Sequence, residues 1–308
     1  VGMIVNATGG QWIRRCTRDL LHADWFGVPK DGITDAAPRL ITAMGSLSKG
    51  GTLQLSSGKY KLLSHNITIP QGTTLRGVSG PDAGQHNVDI YPDACSVLEY
   101  AGSDAMAATD CILAPLSGCR LEKILIRCAN NVHAYAGIAC NVSGSNTFNF
   151  DDVGVQCFNG NWANRGTLDY GYVFGGGGAA AQCDNAEWNR GFIMHSMKAH
   201  VLLAGGQPYN MIMNHVRLSS YVGAYITQQF GYTGAAAGGN YGILFACSGV
   251  PYGSITINGG ECNQIARLFS GFSSVTNYIS VNGLEVEGFN RIWENGNFSM
   301  SFIPVTFR

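Results

Sequence analysis

Charged side chains are scarce in this sequence, and what it lacks excludes several classes of protein. Asp, Glu, Lys and Arg make up 13% of the 308 residues, and the formal net charge is −1. A nucleic-acid-binding surface needs clustered Lys and Arg opposite the phosphates, and the sequence contains no basic run. No apolar run reaches the roughly 20 residues of a membrane helix. We therefore expect no nucleic-acid partner and no membrane insertion.

The ten cysteines form no recognisable metal motif. No two of them are spaced as C-x-x-C, and no Cys/His cluster has the spacing of a zinc site. Several occupy apolar positions of strand-like runs, such as Cys128 in ILIRC and Cys157 in VGVQC. A thiol at such a position acts as a small hydrophobic side chain. The sequence predicts free thiols, folding in a reducing compartment, and no metal or other cofactor.

Glycine, by contrast, is abundant, with 42 residues that punctuate short apolar runs. The runs TLQLSSG, YKLLS, NITIPQG and TTLRGVSG each contain a few alternating apolar residues and then a turn, which is typical of short strands. Residues 36–48 instead have the spacing of one amphipathic helix. The apolar residues that share its predicted face are Leu40, Ile41, Met44 and Leu47.

A repeat with a 24-residue offset follows later in the chain. ITINGGECNQIARLF (255–269) aligns without a gap to ISVNGLEVEGFNRIW (279–293). Weaker copies extend the alignment backwards and place six residues in one column: Glu122, Asp151, Asn189, Asn214, Asn258 and Asn282. Short strands at such a period predict a β-solenoid, in which stacked coils bury a common core. We interpret the four asparagines of this column, Asn189 to Asn282, as a ladder at a turn, because Asn tolerates left-handed backbone.

Irregular spacing between the copies predicts two lateral loops, at about 160–182 and 227–242. A solenoid end exposes unpaired strand edges. We therefore expect the helix at 36–48 to cover the N-terminal end of the stack.

The same N-terminal stretch also carries a family resemblance. Its pattern consists of an aromatic-Phe-Gly turn, Asp-Gly and Asp turn residues, a Gly-Gly pair after the helix and a Gly-x-Tyr turn. The matching residues are Trp25, Phe26, Gly27, Asp31, Gly32, Asp35, Gly50, Gly51, Gly58, Tyr60, Leu75 and Gly77. This module resembles that of the pectate-lyase-like right-handed β-helix superfamily, above all bacteriophage tailspikes and capsule depolymerases. The resemblance implies an all-β fold, a right-handed single-stranded parallel β-helix over residues 24–308 with a short N-terminal capping helix. Residues 1–23 are expected to form a connector segment.

The resemblance also implies a function. Tailspikes of this kind are usually homotrimers that bind, and often cleave, a bacterial surface polysaccharide. The implied protein belongs to a virion tail, is assembled in the host cytoplasm and hydrolyses capsule or O-antigen at the outer surface of the host bacterium. Two alternatives stay open: a non-cleaving glycan-binding adhesion module, and a uronate polysaccharide lyase. No superfamily set of calcium ligands with a catalytic arginine can be matched here, so the resemblance implies no active site.

Candidate catalytic residues come from the repeat. Alternation in NGLEVEGF directs Glu285 outward, and the 24-residue offset places Glu261 beside it on the adjacent coil. Two neighbouring carboxylates suit an acid/base or nucleophile pair of a glycosidase. Arg217 aligns in the same column and is expected to bind one of them or the substrate. The alternative is a solvated ladder of charges.

A second candidate site lies in CDNAEWNRGF. Asp184 and Glu187 are candidate catalytic carboxylates, and Trp188 and Arg190 are candidate sugar-binding residues, because an aromatic ring packs against the C–H face of a sugar. The alternative makes Asp184 or Glu187 a loop cap and Trp188 a core residue. Further candidate stacking residues are Tyr172 and Tyr232, in or beside the predicted loops.

Overall fold

The structure is a computed structural model. It describes residues 3–7, 10–14, 19–47, 50–79, 94–103, 106–107, 110–141, 146–156, 166–175, 183–194, 196–204, 208–219, 241–245, 254–263, 265, 267–271, 276–287, 291–294, 297–303 and 306–307. The chain opens with an antiparallel hairpin of β1 (Met3–Ala7) and β2 (Gly10–Arg14). All further pairings between strands are parallel.

The remaining strands stack into coils with three faces. Face 1 contains β3 (Leu20–His22), β5 (Gly51–Gln54), β8 (Thr73–Arg76), β11 (Cys119–Glu122), β14 (Thr147–Asp151), the first parts of β17 (Cys183–Met194) and β19 (Pro208–Ser219), β21 (Ser254–Asn258), β24 (Thr276–Asn282) and β27 (Asn297–Ile303). Face 2 contains β4 (Asp31–Asp35), β6 (Gly58–Leu62), β9 (Ser96–Tyr100), β12 (Ile124–Cys128), β15 (Gly154–Gln156), the second parts of β17 and β19, β22 (Glu261–Asn263), β25 (Glu285–Glu287) and β28 (Thr306–Phe307).

Face 3 is a separate sheet of eight strands, whereas faces 1 and 2 form one 18-stranded sheet through β17 and β19. Its members are β7 (Ile67–Ile69), β10 (Leu113–Pro115), β13 (His133–Cys140), β16 (Thr167–Phe174), β18 (Ala199–Leu203), β20 (Tyr241–Phe245), β23 (Arg267–Gly271) and β26 (Arg291–Glu294). The predicted parallel β-helix is therefore confirmed.

A sharp turn joins face 1 to face 2 in successive coils. In each of these coils the residue at the turn has a positive φ. The residues are Lys123, Asp152, Arg190, His215, Gly259 and Gly283. The left-handed backbone lets the chain change direction within two residues, which is why Asn-Gly recurs at this point of the repeat.

The core is a set of vertical stacks inside the coils. One stack on face 1 pairs each side chain with its counterpart one coil away and consists of Leu53, Leu75, Leu121, Phe150, Trp188, Met213, Ile257 and Val281. All of them are buried. Burying one such side chain contributes about 1.5–3 kcal/mol, and no single coil can bury its own inner face alone.

The helix α1 spans Ala37–Gly45, within the predicted range. It follows β4 at the place where later coils have a face 3 strand, and it packs against β7, the first strand of face 3. Leu40, Met44 and Leu47 are buried as expected, but Ile41 is 47% exposed, so its predicted inward position is wrong. The buried stripe turns instead toward Ala37 and Ala43, whose small side chains allow close approach to the coil.

The predicted lateral loop at 160–182 is wrong for Thr167–Phe174, which form β16. Residues 168–174 are all buried, on both sides of the strand, so the run lacks the alternation by which a half-buried strand is recognised. The loop predicted at 227–242 likewise overlaps β20, which begins at Tyr241. Gly166 and Gly175 flank β16, and residues 160–165, 176–182 and 227–240 of the predicted loops lie outside the described residues.

Seven cysteines are described, and each is a buried free thiol: Cys95, Cys111, Cys119, Cys128, Cys140, Cys183 and Cys262. Burial raises the pKa of Cys111 and Cys183 to about 12 and that of Cys119 to about 11. These thiols pack as hydrophobic side chains, as predicted. None of the helices that the structure describes is long and apolar enough to cross a membrane.

Candidate functional site

The predicted asparagine column is a continuous hydrogen-bonded ladder at the end of face 1. Asn282 Nδ2 donates to Asn258 Oδ1 at 2.9 Å, and Asn258 Nδ2 donates to Asn214 Oδ1 at 2.9 Å. Asn214 Nδ2 in turn donates to Asn189 Oδ1, and Asn189 Nδ2 donates to Asp151 Oδ1, at 2.8 Å each. The ladder satisfies the hydrogen-bonding groups of side chains that are only partly exposed, and it fixes the register between coils.

Below Asp151 the same column becomes ionic. Glu122 pairs in register with Asp151, and Arg76 pairs with Glu122. Arg120, two residues before Glu122 on face 1, donates through Nε to Asp151 Oδ2 at 2.7 Å and lies 2.6 Å from Glu122 Oε1. Both carboxylates are occupied by guanidinium groups, so we assign them a structural role.

Face 2 brings Arg217, Glu261 and Glu285 into one outward column. Arg217 pairs in register with Glu261, and Glu261 with Glu285. Arg217 Nε lies 3.2 Å from Glu261 Oε2, and Asn263 Nδ2 donates to Glu261 Oε1 at 2.6 Å. The Glu261 side chain is 33% exposed, so its carboxylate is held from two sides and still reaches solvent. The structure brings these three predicted residues together.

Glu187 lies on face 1, beside a cleft of about 410 Å³. The polar side chains around this cleft come from three successive coils and are Thr147, Asn149, Asn185, Glu187 and Asn210. Glu187 Oε1 accepts a hydrogen bond from Asn214 Nδ2 at 3.3 Å. Asp184 does not line the cleft and precedes the part of β17 that pairs with β14. The structure therefore does not unite Asp184 and Glu187 in one site.

Two predicted sugar-binding aromatics are core residues instead. Trp188 is 3% exposed and Tyr172 is fully buried, with their ring centroids 5.6 Å apart. Alternation along β17 turns Glu187 and Asn189 outward and Trp188 inward. Neither ring can stack on a sugar at the surface, so both predictions are wrong.

The other predicted binding residues remain untested. Arg190 is exposed at the turn after the ladder, where its Nε lies 3.0 Å from Asp152 Oδ1. Tyr232 lies outside the described residues.

Sequence reasoning missed two charged clusters. On the outer side of face 2, Arg127 and Glu99 form an ion pair that is almost completely buried. On face 3, the buried Asp169 carboxylate lies 2.8 Å from Lys198 Nζ and 3.7 Å from His133 Nε2. Both clusters join residues of successive coils, and apart from Arg127 none of these residues belongs to the aligned repeats.

No group of three or more His, Cys, Asp and Glu side chains suited to a metal ion occurs among the described residues. The stacked faces, the capping helix and the ladder define the class of the protein, a capped parallel β-helix. Solved tailspikes, among them the following two, are similar to it. The enzymatically active domain of tailspike protein 2 of bacteriophage CBA120 has a TM-score of 0.56 and 13% identity, covering 99% of this chain and 49% of that one.

The second is the phiAB6 tailspike, solved in complex with three-repeated oligosaccharides of Acinetobacter baumannii surface polysaccharide. It has a TM-score of 0.51 and 13% identity and covers 92% of this chain and 48% of that one. The chain thus spans about half the length of these tailspikes, and the predicted resemblance in fold is confirmed. No family model matches the sequence, and no curated protein matches it either.

Proposed function

We propose that the chain is a tailspike-type polysaccharide depolymerase, which binds a bacterial capsule or O-antigen on its outer faces and hydrolyses its glycosidic bonds. The outward column of Arg217, Glu261 and Glu285 is the observation that carries the proposal. The fold adds support, since one tailspike of similar fold was solved with oligosaccharides of a bacterial surface polysaccharide.

The spacing of this column suits hydrolysis. Paired strands of adjacent coils lie about 4.8 Å apart. Carboxyl groups of retaining glycosidases are about 5–5.5 Å apart, and those of inverting ones about 6.5–9.5 Å apart. Glutamate side chains on neighbouring strands reach either separation by changing rotamer. One carboxylic acid protonates the leaving oxygen, and the other carboxylate attacks the sugar or activates a water.

The contacts of Glu261 support a division of the two roles. Glu261 is oriented by Arg217 and by Asn263 Nδ2, which suits the carboxylate that acts as nucleophile or base. We assign the general acid to Glu285, which follows it in the column.

The test is the release of reducing ends from a panel of purified capsules and O-antigens. Glu261→Gln and Glu285→Gln each remove the ionisable group and keep the shape, so we expect turnover to fall about 10²- to 10⁴-fold with glycan binding retained. Glu187→Gln makes the same change beside the face 1 cleft, and unchanged turnover in this variant would confine hydrolysis to the Glu261 column. Wild-type turnover in Glu261→Gln would remove this column from consideration.

A second candidate function is glycan binding without cleavage. The amide-lined cleft on face 1 favours it, since Asn149, Asn185 and Asn210 offer donors and acceptors to sugar hydroxyls without a paired carboxylate. Retained binding with no reducing ends from any bound polysaccharide would select this function. Products with the ultraviolet absorbance of unsaturated uronates would instead select a lyase.

We also propose a homotrimer within a virion tail, acting at the surface of the host bacterium. The support is the resemblance of the N-terminal module to those of tailspikes. Sedimentation equilibrium of the purified chain tests the assembly, and a monomer at all concentrations would contradict it.

A further inference from the structure

A second cleft lies on the outer side of face 2, near the N-terminal end of the stack. Its volume is about 390 Å³, which is within the usual range of ligand sites. Three successive coils supply its charged side chains, because Lys61 pairs in register with Glu99 and Glu99 with Arg127. The small residues Gly32, Ala101 and Ala129 line the rest and leave room for a ligand.

The cleft contains more positive than negative charge. Glu99 Oε2 accepts from Arg127 Nε at 2.8 Å, and Arg127 Nη2 lies 2.8 Å from the same oxygen. Lys59 Nζ lies 3.5 Å from that oxygen as well. Among the residues that the structure describes, no carboxylate lies within ion-pair distance of Lys61. The cleft thus holds three cations and one carboxylate, and only Lys59 and Arg127 contact that carboxylate.

The nearest other acids are engaged elsewhere. Asp31 and Asp35 lie on the preceding coil, where they pair in register with Lys59 and Lys61, respectively. Asp31 Oδ1 accepts the backbone N–H groups of Ile33 and Thr34 at 2.8 Å each. Asp35 Oδ1 accepts those of Ala37 at 3.0 Å and Leu63 at 3.1 Å. Neither carboxylate forms an ion pair with the lysines.

Burial strengthens the field in this cleft. The side chain of Arg127 is 2% exposed and that of Glu99 is 10% exposed, so water screens their charges poorly. Lys59, at 29%, and the half-buried Lys61 border this desolvated pair and remain accessible. An anion that enters the cleft meets two accessible ammonium groups beside a fixed guanidinium.

We propose that this cleft binds the carboxylate of an acidic sugar residue, so that the polysaccharide recognised by the chain contains uronate or a similar acid. The inference rests on the proposed function and names its substrate class. Lys61 and Lys59 hold the carboxylate oxygens, Arg127 supplies the surrounding positive potential, and Asn130 at the edge of the cleft offers hydrogen bonds to the ring hydroxyls.

The test is ligand-observed NMR titration with two probes that differ in one group. Methyl glucuronoside has a carboxylate where methyl glucoside has a hydroxymethyl group, and inorganic phosphate is a third probe. We expect the glucuronoside to bind, the glucoside not to bind, and added salt to weaken binding. Lys61→Met should weaken glucuronoside binding about tenfold, since it removes one charge-assisted contact.

Lys123→Met is the matched control. Lys123 is an exposed lysine with no ion pair among the described residues, and it lies outside this cleft, so the same loss of charge there should leave binding unchanged. Lys61→Arg keeps the charge and should retain binding, which separates a binding role from a folding defect. Unchanged thermal midpoints of the variants complete the control.

The opposite outcomes overturn the inference. They are equal binding of glucuronoside and glucoside, wild-type affinity in Lys61→Met, tighter binding of phosphate than of the glucuronoside, or no binding of any probe. Failure of the proposed function looks different. If Glu261→Gln keeps full turnover, or if the wild type cleaves no polysaccharide, hydrolysis at the Glu261 column is ruled out. The titrations still decide separately whether the cleft binds an acidic sugar.

Discussion

Asn214 donates a hydrogen bond from Nδ2 to Oδ1 of Asn189, 25 residues earlier in the chain, at 2.8 Å. Its own Oδ1 accepts from Asn258 Nδ2, 44 residues later, at 2.9 Å. One side chain therefore joins three coils whose separations in sequence differ widely. The amide stack holds the coils in register wherever the connecting segments vary in length.

Asn214→Ala should destabilise the protein by about 1–3 kcal/mol, because it leaves partly buried partners without a hydrogen bond on both sides. Asn185→Ala is the control: Asn185 is exposed and accepts one hydrogen bond from Asn210 at 3.1 Å, so we expect a change within about 0.5 kcal/mol. Urea unfolding midpoints measure both. Equal losses would show that the ladder contributes no more than a surface amide pair.

Trp188→Ala should cost about 3–5 kcal/mol, since it opens a cavity among the rings of Phe150, Tyr172 and Phe174. Tyr278→Ala, at an aromatic residue that is 58% exposed, should change stability little. The measurement is chemical unfolding together with glycan binding. Weaker binding at unchanged stability in Trp188→Ala would return Trp188 to the binding surface.

Asp169 should make stability depend on pH in acid. Burial by itself raises the pKa of this carboxyl, but hydrogen bonds from His133 and Lys198 outweigh burial, and the net pKa lies below the usual 3.8. Below about pH 3.8 the unfolded chain binds a proton that the folded protein resists. The contribution of Asp169 is therefore complete above that pH and is lost as pH falls further.

The check compares wild type with Asp169→Asn in unfolding experiments from neutral pH down to acid. The variant should lose stability at neutral pH and show a smaller additional loss in acid than wild type. Parallel curves would mean that Asp169 titrates alike in the folded and unfolded states.

Gly260 and Gly283 should differ in their response to alanine, although both have positive φ. A Cβ at Gly260 overlaps the Val216 backbone carbonyl, whereas nothing lies within 4 Å of one at Gly283. Gly283→Ala is expected to cost about 1–2 kcal/mol for its left-handed backbone alone, and Gly260→Ala more than that. Thermal midpoints rank the two, and a larger loss at Gly283 would contradict the packing argument.

The four asparagines of the ladder could be predicted because they recur at the same point of the repeat. Their alignment in one column predicted the stack from Asn189 to Asn282, and the structure adds Asp151 as its last acceptor. The same register brought Glu261 and Glu285 together. The left-handed residue of the turn is the one after each asparagine, namely Arg190, His215, Gly259 or Gly283, so the backbone tolerance of Asn is not the reason for its place in the stack.

Prediction from the sequence failed where both sides of a strand are buried, and where neighbouring coils share no sequence motif. Tyr172 belongs to a strand whose outer side chains are also buried, so its pattern does not alternate. Glu99 and Arg127 are 28 residues apart in coils without an Asn-Gly turn, and the aligned repeats begin at Cys119, after Glu99. Their pairing follows from the three-dimensional stack.

The carboxylate of Asp151 gives the ladder a polarity. An ionised carboxylate has only acceptors, so Asn189 must turn its NH₂ group toward Asp151, and each later amide must follow in the same sense. The amide dipoles of Asn189, Asn214, Asn258 and Asn282 therefore add along the stack, as peptide dipoles do in a helix. The positive end of the row meets a negative charge, so one acid at its base orients every amide above it.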